Sequence, residues 1–582
     1  MARGARPSLT RPRKIASLAA MRQRRARATS AFALPSLLLG TGLLTGIAAR
    51  TAQAQRAAGV GEDAYVLPRG AVRVTLAPTF ETADQRFRSD GTRERLGAAV
   101  GGLYDASRLS VLASGQQALR ALTGDNGARL SLGQVRVVAS QRAAILPLGI
   151  EMGIGARVQV GLLVPFVRTT SDAVAFAEGD TSATAGLNPA LIRQAALDSN
   201  TTLVRQLLQA ASARETAAGL PADGCNGSSA PACAAVIATR TAAQQLAALY
   251  GTGTDAALGA LSGRTGAAAV PLRGTTAAAA VDARIAALRN ALGGDASGIT
   301  FTRPAHAGAP ISASELAMFV GNGDVGLGLD AFGPVQRSHF GDMEAAVKLA
   351  LIDRVGAIGD DPRSDVGLRV AVMGLVRAPT GQGEQPGNAL DLGTGDGQMD
   401  LEARAMVDVT VGRAFWISAA VRAVQQLEDD QFVRAPLSLA EGALAPASAT
   451  VRAHRDLGDA VAFELTPRWL PNRYFAVAAT YQLRKKGADA YGIVGDDPLP
   501  GGPDVTLLGA GTGYTEHRAG IGITWTTLGA ARRGKRSIPL DISFLRLQTL
   551  RATGGSVPAV STTQLRLRVW FGSTRTPAAV TR

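Results

Sequence analysis

From residue 70 to the C-terminus the chain repeatedly alternates apolar and polar side chains with a period of two. In 561–571, Leu565, Leu567, Val569 and Phe571 fall on one face, and Gln564, Arg566, Arg568 and Trp570 on the other. That is a strand with two unlike sides. In 397–411 the apolar row is Met399, Leu401, Ala403, Ala405, Val407, Val409 and Val411, with Gln398, Asp400, Glu402, Arg404, Asp408 and Thr410 between. The stretch 366–378 sets Val366, Leu368, Val370, Val372 and Val376 against Arg369, Met373 and Arg377. In 342–354, Met343, Ala345, Val347, Leu349 and Leu351 oppose Glu344 and Lys348. In 473–485, Phe475, Val477, Ala479, Tyr481 and Leu483 oppose Tyr474, Thr480, Gln482 and Arg484.

Read throughout, the pattern predicts strands at 70–81, 142–153, 157–169, 342–354, 366–378, 397–411, 414–427, 458–470, 473–485, 515–527, 538–551 and 561–571. A transmembrane barrel needs an even strand number, short turns at one end and longer loops at the other. With the first strand starting inside, the turns 153–156, 355–365, 412–413, 471–472 and 528–537 are short. The loops 82–141, 170–341, 379–396, 428–457 and 486–514 are long, and only 552–560 departs from the rule. The expected fold is therefore all-β, a transmembrane antiparallel β-barrel of about 12 strands with a large, partly helical loop insertion. Fourteen strands result if 130–139 or 324–332 also joins the wall. A water-soluble sandwich would alternate too, with its polar row facing bulk solvent; repeated small residues on the polar face, the terminal aromatic and an export signal favour the barrel.

Such a signal is written in residues 1–54. An Arg-rich lead is followed by an apolar run from Ala31 to Ala48 and by the small-x-small site Ala52-Gln53-Ala54, the order of a cleavable secretory signal peptide. The lead is long, and Met21 would give a more ordinary start. The segment also changes the charge argument. The whole chain carries +15, but ten of its Lys and Arg and none of its acids lie in residues 1–54, which leaves +5 for the rest. Nucleic acid is thereby set aside as a partner. No later run is long and apolar enough for a helical span. Cys225 and Cys233 flank a Gly/Ser/Pro turn, and in an exported chain such a pair reads as a local disulfide.

The chain thus divides into the signal peptide (1–54), the first barrel strands with a long outer loop (55–169), an Ala/Thr/Gly-rich insertion (170–341), the main barrel strands (342–571) and a short tail (572–582). In the insertion, Asn188-Pro189 reads as N-cap and first turn of a helix to about Ala211. Further helices are expected over 234–249 and 277–292. The insertion can lid a pore, fold into it, or project as a hairpin.

The residues expected to face the lumen carry both signs: Glu344, Lys348, Arg369, Arg377, Asp400, Glu402, Arg404, Asp408, Arg422, Glu464, Arg484, Arg566 and Arg568. The interior they outline is mildly basic, and cross-strand salt bridges are the plain reading of any one of them. Trp469, Phe415, Trp416, Trp570 and Phe571 fall near the inner rim, where an aromatic girdle belongs. Phe571, the last residue of the last strand, is the expected assembly signal. The glycine run 391–397 lacks the lysine and helix of a phosphate loop. Asp391, Asp396 and Asp400 around it are oxygen ligands of the kind calcium takes, though a long turn accounts for the glycines better. The four histidines, His306, His339, His454 and His517, are scattered and give neither a metal site nor a nucleophile–base set. No cofactor and no enzyme activity is expected.

Three short motifs carry a family resemblance. Pro379-Thr380-Gly381 follows a strand, Leu392-Gly393-Thr394-Gly395 precedes the next, and Gly341-Asp342-Met343-Glu344 opens an earlier one. With 148–154, 158–161 and Val164-Pro165-Phe166, they resemble the outer-membrane barrel family of the meta-pathway phenol-degradation type. The resemblance covers 142–169 and 341–571. It agrees with what the strand pattern and export signal already imply, a barrel in the bacterial outer membrane surrounded by outer-membrane lipid, whose final strand the barrel assembly machinery is expected to read. It also implies a channel for passive uptake of small solutes, hydrophobic or aromatic ones included. The alternative is a non-conducting barrel that anchors the insertion at the cell surface, where the insertion binds envelope or extracellular partners.

Overall fold

The computed structural model describes residues 62–572, apart from 180, 294–299, 325, 331, 356–365, 496–501 and 533–537. The expected signal peptide and all of the tail but Gly572 lie outside the described residues. Twelve antiparallel strands close into a barrel. They are β1 (Val72–Leu76 and Thr79–Ala83), β2 (Ser131–Gly153), β3 (Val158–Ala177), β4 (Val335–Phe340 and Met343–Asp353), β5 (Val366–Ala378) and β6 (Asp400–Val411). The others are β7 (Phe415–Gln426), β8 (Ala460–Trp469), β9 (Phe475–Lys486), β10 (Tyr514–Thr526), β11 (Leu540–Thr553) and β12 (Ser561–Phe571). Each pairs with the next, and β12 returns to β1 with Val72 opposite Phe571 and Leu76 opposite Leu567. β1 is broken at Ala77-Pro78, because proline has no N–H to give to a ladder.

A wall of fourteen strands is not what forms. Residues 131–139 lengthen β2 rather than making a strand of their own, and 335–340 extend β4 along β3. Turns at one end are short: residues 154–157 join β2 to β3 and 412–414 join β6 to β7. Loops at the other end are long, except residues 554–560 between β11 and β12. Among the described residues no helix is long and apolar enough to cross a membrane.

The outer face is apolar. Val366, Ile521, Ile523, Leu565 and Val461 are all more than two-fifths exposed. At the short-turn end Phe415 stands opposite Trp469, and Phe475 opposite Trp525. With Phe571 these residues, all exposed, make the girdle a membrane interface favours. Trp416 and Trp570, expected in that girdle, instead face inward. Trp570 is 2% exposed, and Trp416 lies under the Arg468 and Arg369 guanidinium groups.

The long-loop end carries five helices: α1 (Ala113–Thr123), α2 (Gln194–Ala217), α3 (Ala234–Tyr250), α4 (Thr276–Ala291) and α5 (Ala313–Gly321). Asn188 caps only a short 3-10 turn, its Oδ1 accepting from Ala190 N. α2 then starts at Gln194 and runs past the expected end at Ala211. The Asn188 amide is spent on the carbonyls of Tyr250 and Ala267, 3.2 and 2.9 Å away. The Cys225–Cys233 disulfide ties the α2–α3 connection. These helices share one apolar core with the upper parts of β2 and β3 (Leu132, Val135, Val137, Ala173) and with Leu390 and Leu444 from two other loops. The insertion is thus a packed cap and not a free hairpin.

Candidate functional site: the lumen and the segment that crosses it

Period-two alternation sends a charged row of most strands inward, and the barrel brings these rows together. Arg377 is the hub of one cluster. Its guanidinium donates to Glu344 at 2.9 Å and to Asp400 at 2.6 Å, with Glu402 at 3.4 Å. Glu402 also takes the Arg404 guanidinium. Arg422 meets Glu464 at 3.4 Å, and Gln482 donates to the same carboxylate. Arg369 lies 3.6 Å from Asp408. Arg484 is half-buried over the Tyr514 ring. Arg566 and Arg568 line a cavity with Arg73 and Glu151. Burying such groups is tolerable only because they are paired and hydrogen-bonded.

Through this interior runs a stretch that sequence periodicity gave no reason to place there. Residues 62–67, before β1, lie inside the barrel, and 68–70 turn at its rim into β1. Ala64 and Leu67 are wholly buried. The Glu62 carboxylate receives Arg404 Nη1 at 2.6 Å. Lys348 Nζ donates to the Asp63 carbonyl at 2.6 Å, and Arg568 stands 3.4 Å from the Asp63 carboxylate. Ala64 N donates to Asp408 Oδ2 and Leu67 N to Gln159 Oε1, both at 2.9 Å. Arg369 sits over the Tyr65 ring, 5.1 Å from its centroid. Gly153 lets the segment in, since a Cβ there would lie 2.2 Å from the Pro68 carbonyl oxygen. The one sequence signal was the acidic pair Glu62-Asp63 on a stretch without alternation, facing a lumen already read as basic.

Two cavities flank the Glu62–Arg404 contact. One, of ≈ 830 Å³, is lined by Arg377, Arg404, Arg422, Arg484 and Arg518 against Glu402, Glu464 and Glu516. The other, of ≈ 820 Å³, lies between Glu62, Arg73, Glu344, Leu375 and Arg566, and Arg404 borders both. The site is a mixed-charge conduit with an excess of arginine, interrupted by a peptide held on side-chain contacts.

The glycine-rich loop between β5 and β6 is a structural joint. The Asp342 carboxylate accepts from Gly381 N at 2.8 Å and from Asp396 N at 3.2 Å. A Cβ on Gly395 would stand 2.4 Å from that carboxylate. Among the described residues no cluster of acids, histidines or cysteines could hold a metal ion.

No protein-family model and no curated protein sequence matches this chain. Solved structures that overlay on it are outer-membrane barrels. An outer-membrane channel from Pseudomonas putida F1 matches at 10% identity, covering 88% of this chain and 98% of its own, with a TM-score of 0.39. The toluene transporter TbuX of Ralstonia pickettii matches at 9% identity over 87% and 90%, TM-score 0.25. The translocator domain of the autotransporter NalP from Neisseria meningitidis matches at 6% over 86% and 88%, also 0.25. Channels and an autotransporter barrel all overlay loosely, at identities of 10% or less, so no function follows from these overlaps.

Proposed function

We propose that the protein is a bacterial outer-membrane channel for passive uptake of small solutes, held closed at rest by residues 62–67. The observation that carries this reading is the seated segment itself: a peptide held inside the lumen by charged contacts that can be exchanged for water or solute, with open space on either side of the Arg404 that its Glu62 engages. The apolar outer belt and aromatic girdle support the membrane setting. Residues 1–54 would direct export and be cleaved, and Phe571 would be read by the barrel assembly machinery.

The resemblance to the meta-pathway phenol-degradation type suggests aromatic cargo. The wall narrows that suggestion. A bare hydrocarbon gains nothing from a lining of arginine and glutamate, whereas an aromatic with a carboxylate or hydroxyl can pair with it. Liposome swelling with arabinose and sodium benzenesulfonate tests the proposal, because a sugar and a permanently ionised sulfonate both cross bare lipid slowly. Faster swelling with the protein supports it, with benzenesulfonate ahead of arabinose. Swelling no faster than in protein-free vesicles, with residues 62–67 removed, would point to the surface-anchor alternative, which the packed helical cap favours.

A further inference from the structure

Along the outward face of the barrel the apolar rows end at a first polar position, beyond which only scattered apolar residues (Val138, Val174, Phe176, Leu550) recur, and on one side of the barrel that first position is cationic. On β11 the outward residues Leu540, Ile542 and Phe544 give way to Arg546. On β12 Phe571, Val569, Leu567 and Leu565 give way to Thr563. On β1 Phe80 gives way to Thr82, on β2 Leu148, Leu146 and Ala144 to Arg142, and on β3 Leu162, Val164 and Phe166 to Arg168. Elsewhere round the wall the residues at this boundary are Ser338, Gln425, Asp459, Lys485 and His517. Eight residues of β12 separate Phe571 from Thr563, about 27 Å along the strand. At a tilt near 40° this is about 21 Å of height, close to the apolar band of about 25 Å that such barrels present to lipid. The arginines therefore stand where hydrocarbon ends and headgroups begin, on the long-loop side.

Arg142 lies opposite Thr170, and Arg168 opposite Ala144. The two are diagonal neighbours on adjacent strands, roughly 7–8 Å apart, so their long side chains can converge on one group. Arg168 Nη2 donates to Gln336 Oε1 at 2.7 Å, which steadies the guanidinium and leaves further N–H groups unspent. No hydrogen bond or ion pair to another described residue engages Arg142. The acid on this face, Asp172, pairs with Ser140, one outward step beyond Thr170. Arg546 bonds Thr563 Oγ1. Guanidinium forks match phosphate oxygens two at a time.

We propose that Arg142 and Arg168 hold one phosphate of a phosphorylated glycolipid headgroup of the outer leaflet, lipid A, with Arg546, three strands and about 14 Å round the wall, placed for a second phosphate. The proposal rests on the outer-membrane reading above. It gives the barrel a preferred lipid and a fixed height in the membrane.

The test is titration of the purified full chain, in neutral detergent, with fluorescent lipid A. Phosphatidylglycerol and inorganic phosphate serve as separate competitors. The expected result is at least tenfold weaker binding by the double variant R142Q/R168Q, with K485Q unchanged and both competitors effective only in large excess. Heat-modifiable gel mobility reports whether each variant is folded, and R142K/R168K, which keeps the charges, should bind between the two. Equal binding by the folded double variant, or an equal loss in K485Q, would overturn the proposal. So would displacement by phosphatidylglycerol or inorganic phosphate at concentrations matching lipid A. Conductance in phosphatidylcholine bilayers, measured on the same variants, reports on the channel reading separately.

Discussion

Replacing Glu62 by Gln and Asp63 by Asn together should unseat the N-terminal segment while preserving its shape. Glu62 receives Arg404 Nη1 at 2.6 Å, with both groups largely buried. A charge-assisted bond of that kind contributes about 2 kcal/mol. Asp63 and Arg568 are further apart, at 3.4 Å, and their contact is worth roughly 1 kcal/mol. Losing both shifts the balance between seated and released segment by about 3 kcal/mol, near a hundredfold in the equilibrium constant. The contacts to the Asp63 carbonyl, Ala64 N and Leu67 N survive the substitution, so the segment should still reseat. The assay is single-channel recording in planar bilayers. Rapid flicker, with a much larger open fraction than the parent chain shows, is expected. An open fraction identical to the parent's would refute the view that these ion pairs hold the closure.

Further outcomes follow from other parts of the molecule. His454 lies between Asp430 Oδ1 at 3.1 Å and Glu428 Oε2 at 3.2 Å, and the hydrogen bond to Asp430 leads the interactions that raise its pKa above the usual 6.5. A raised value means its contribution is complete below pH 6.5 and disappears as pH climbs through the raised pKa. NMR titration should find the shift, and Asp430→Asn should reduce it. The Cys225–Cys233 bridge closes a loop with a sequence separation of 8, for which chain entropy gives about 2.5 kcal/mol. C225A/C233A should therefore open the α2–α3 connection to protease with conductance unchanged, whereas a change in conductance would link the cap to the pore. Gly395→Ala would drive a methyl into the Asp342 carboxylate, an overpacking cost of about 1–3 kcal/mol. It should lower the temperature at which the folded gel band is lost; an unaltered temperature would deny the joint its structural role.

The strands could be read from the chain because a barrel wall has only two environments, and alternation such as Asp400-Leu401-Glu402-Ala403-Arg404 records which residue meets which. The helix N-terminus at Asn188 was misread because a cap rule identifies a first turn but not its continuation. There Pro189 starts a 3-10 turn that stops before α2. Trp416 and Trp570 were placed in the girdle from position along the strand, although their parity put them on the inner face. The lumen segment was invisible for a physical reason. Residues 62–67 have no periodicity of their own, and their seat is assembled from Gln159, Lys348, Arg404, Asp408 and Arg568, which lie far apart in sequence. The insertion's helices were partly legible in their Ala/Leu patterning. Their shared core with Leu132, Val135 and Val137 of β2 was not.

That shared core also decides which measurement bears most directly on the account. Excising 175–335 would expose the apolar upper part of β2, whereas shortening the N-terminus to Leu67 leaves every barrel strand intact. The decisive measurement is single-channel conductance of the mature chain beside the same chain without residues 55–67. The account predicts brief, infrequent openings from the first and sustained conductance steps from the second. Equal steady steps from both would contradict the closure by residues 62–67, and silence from both would contradict a channel.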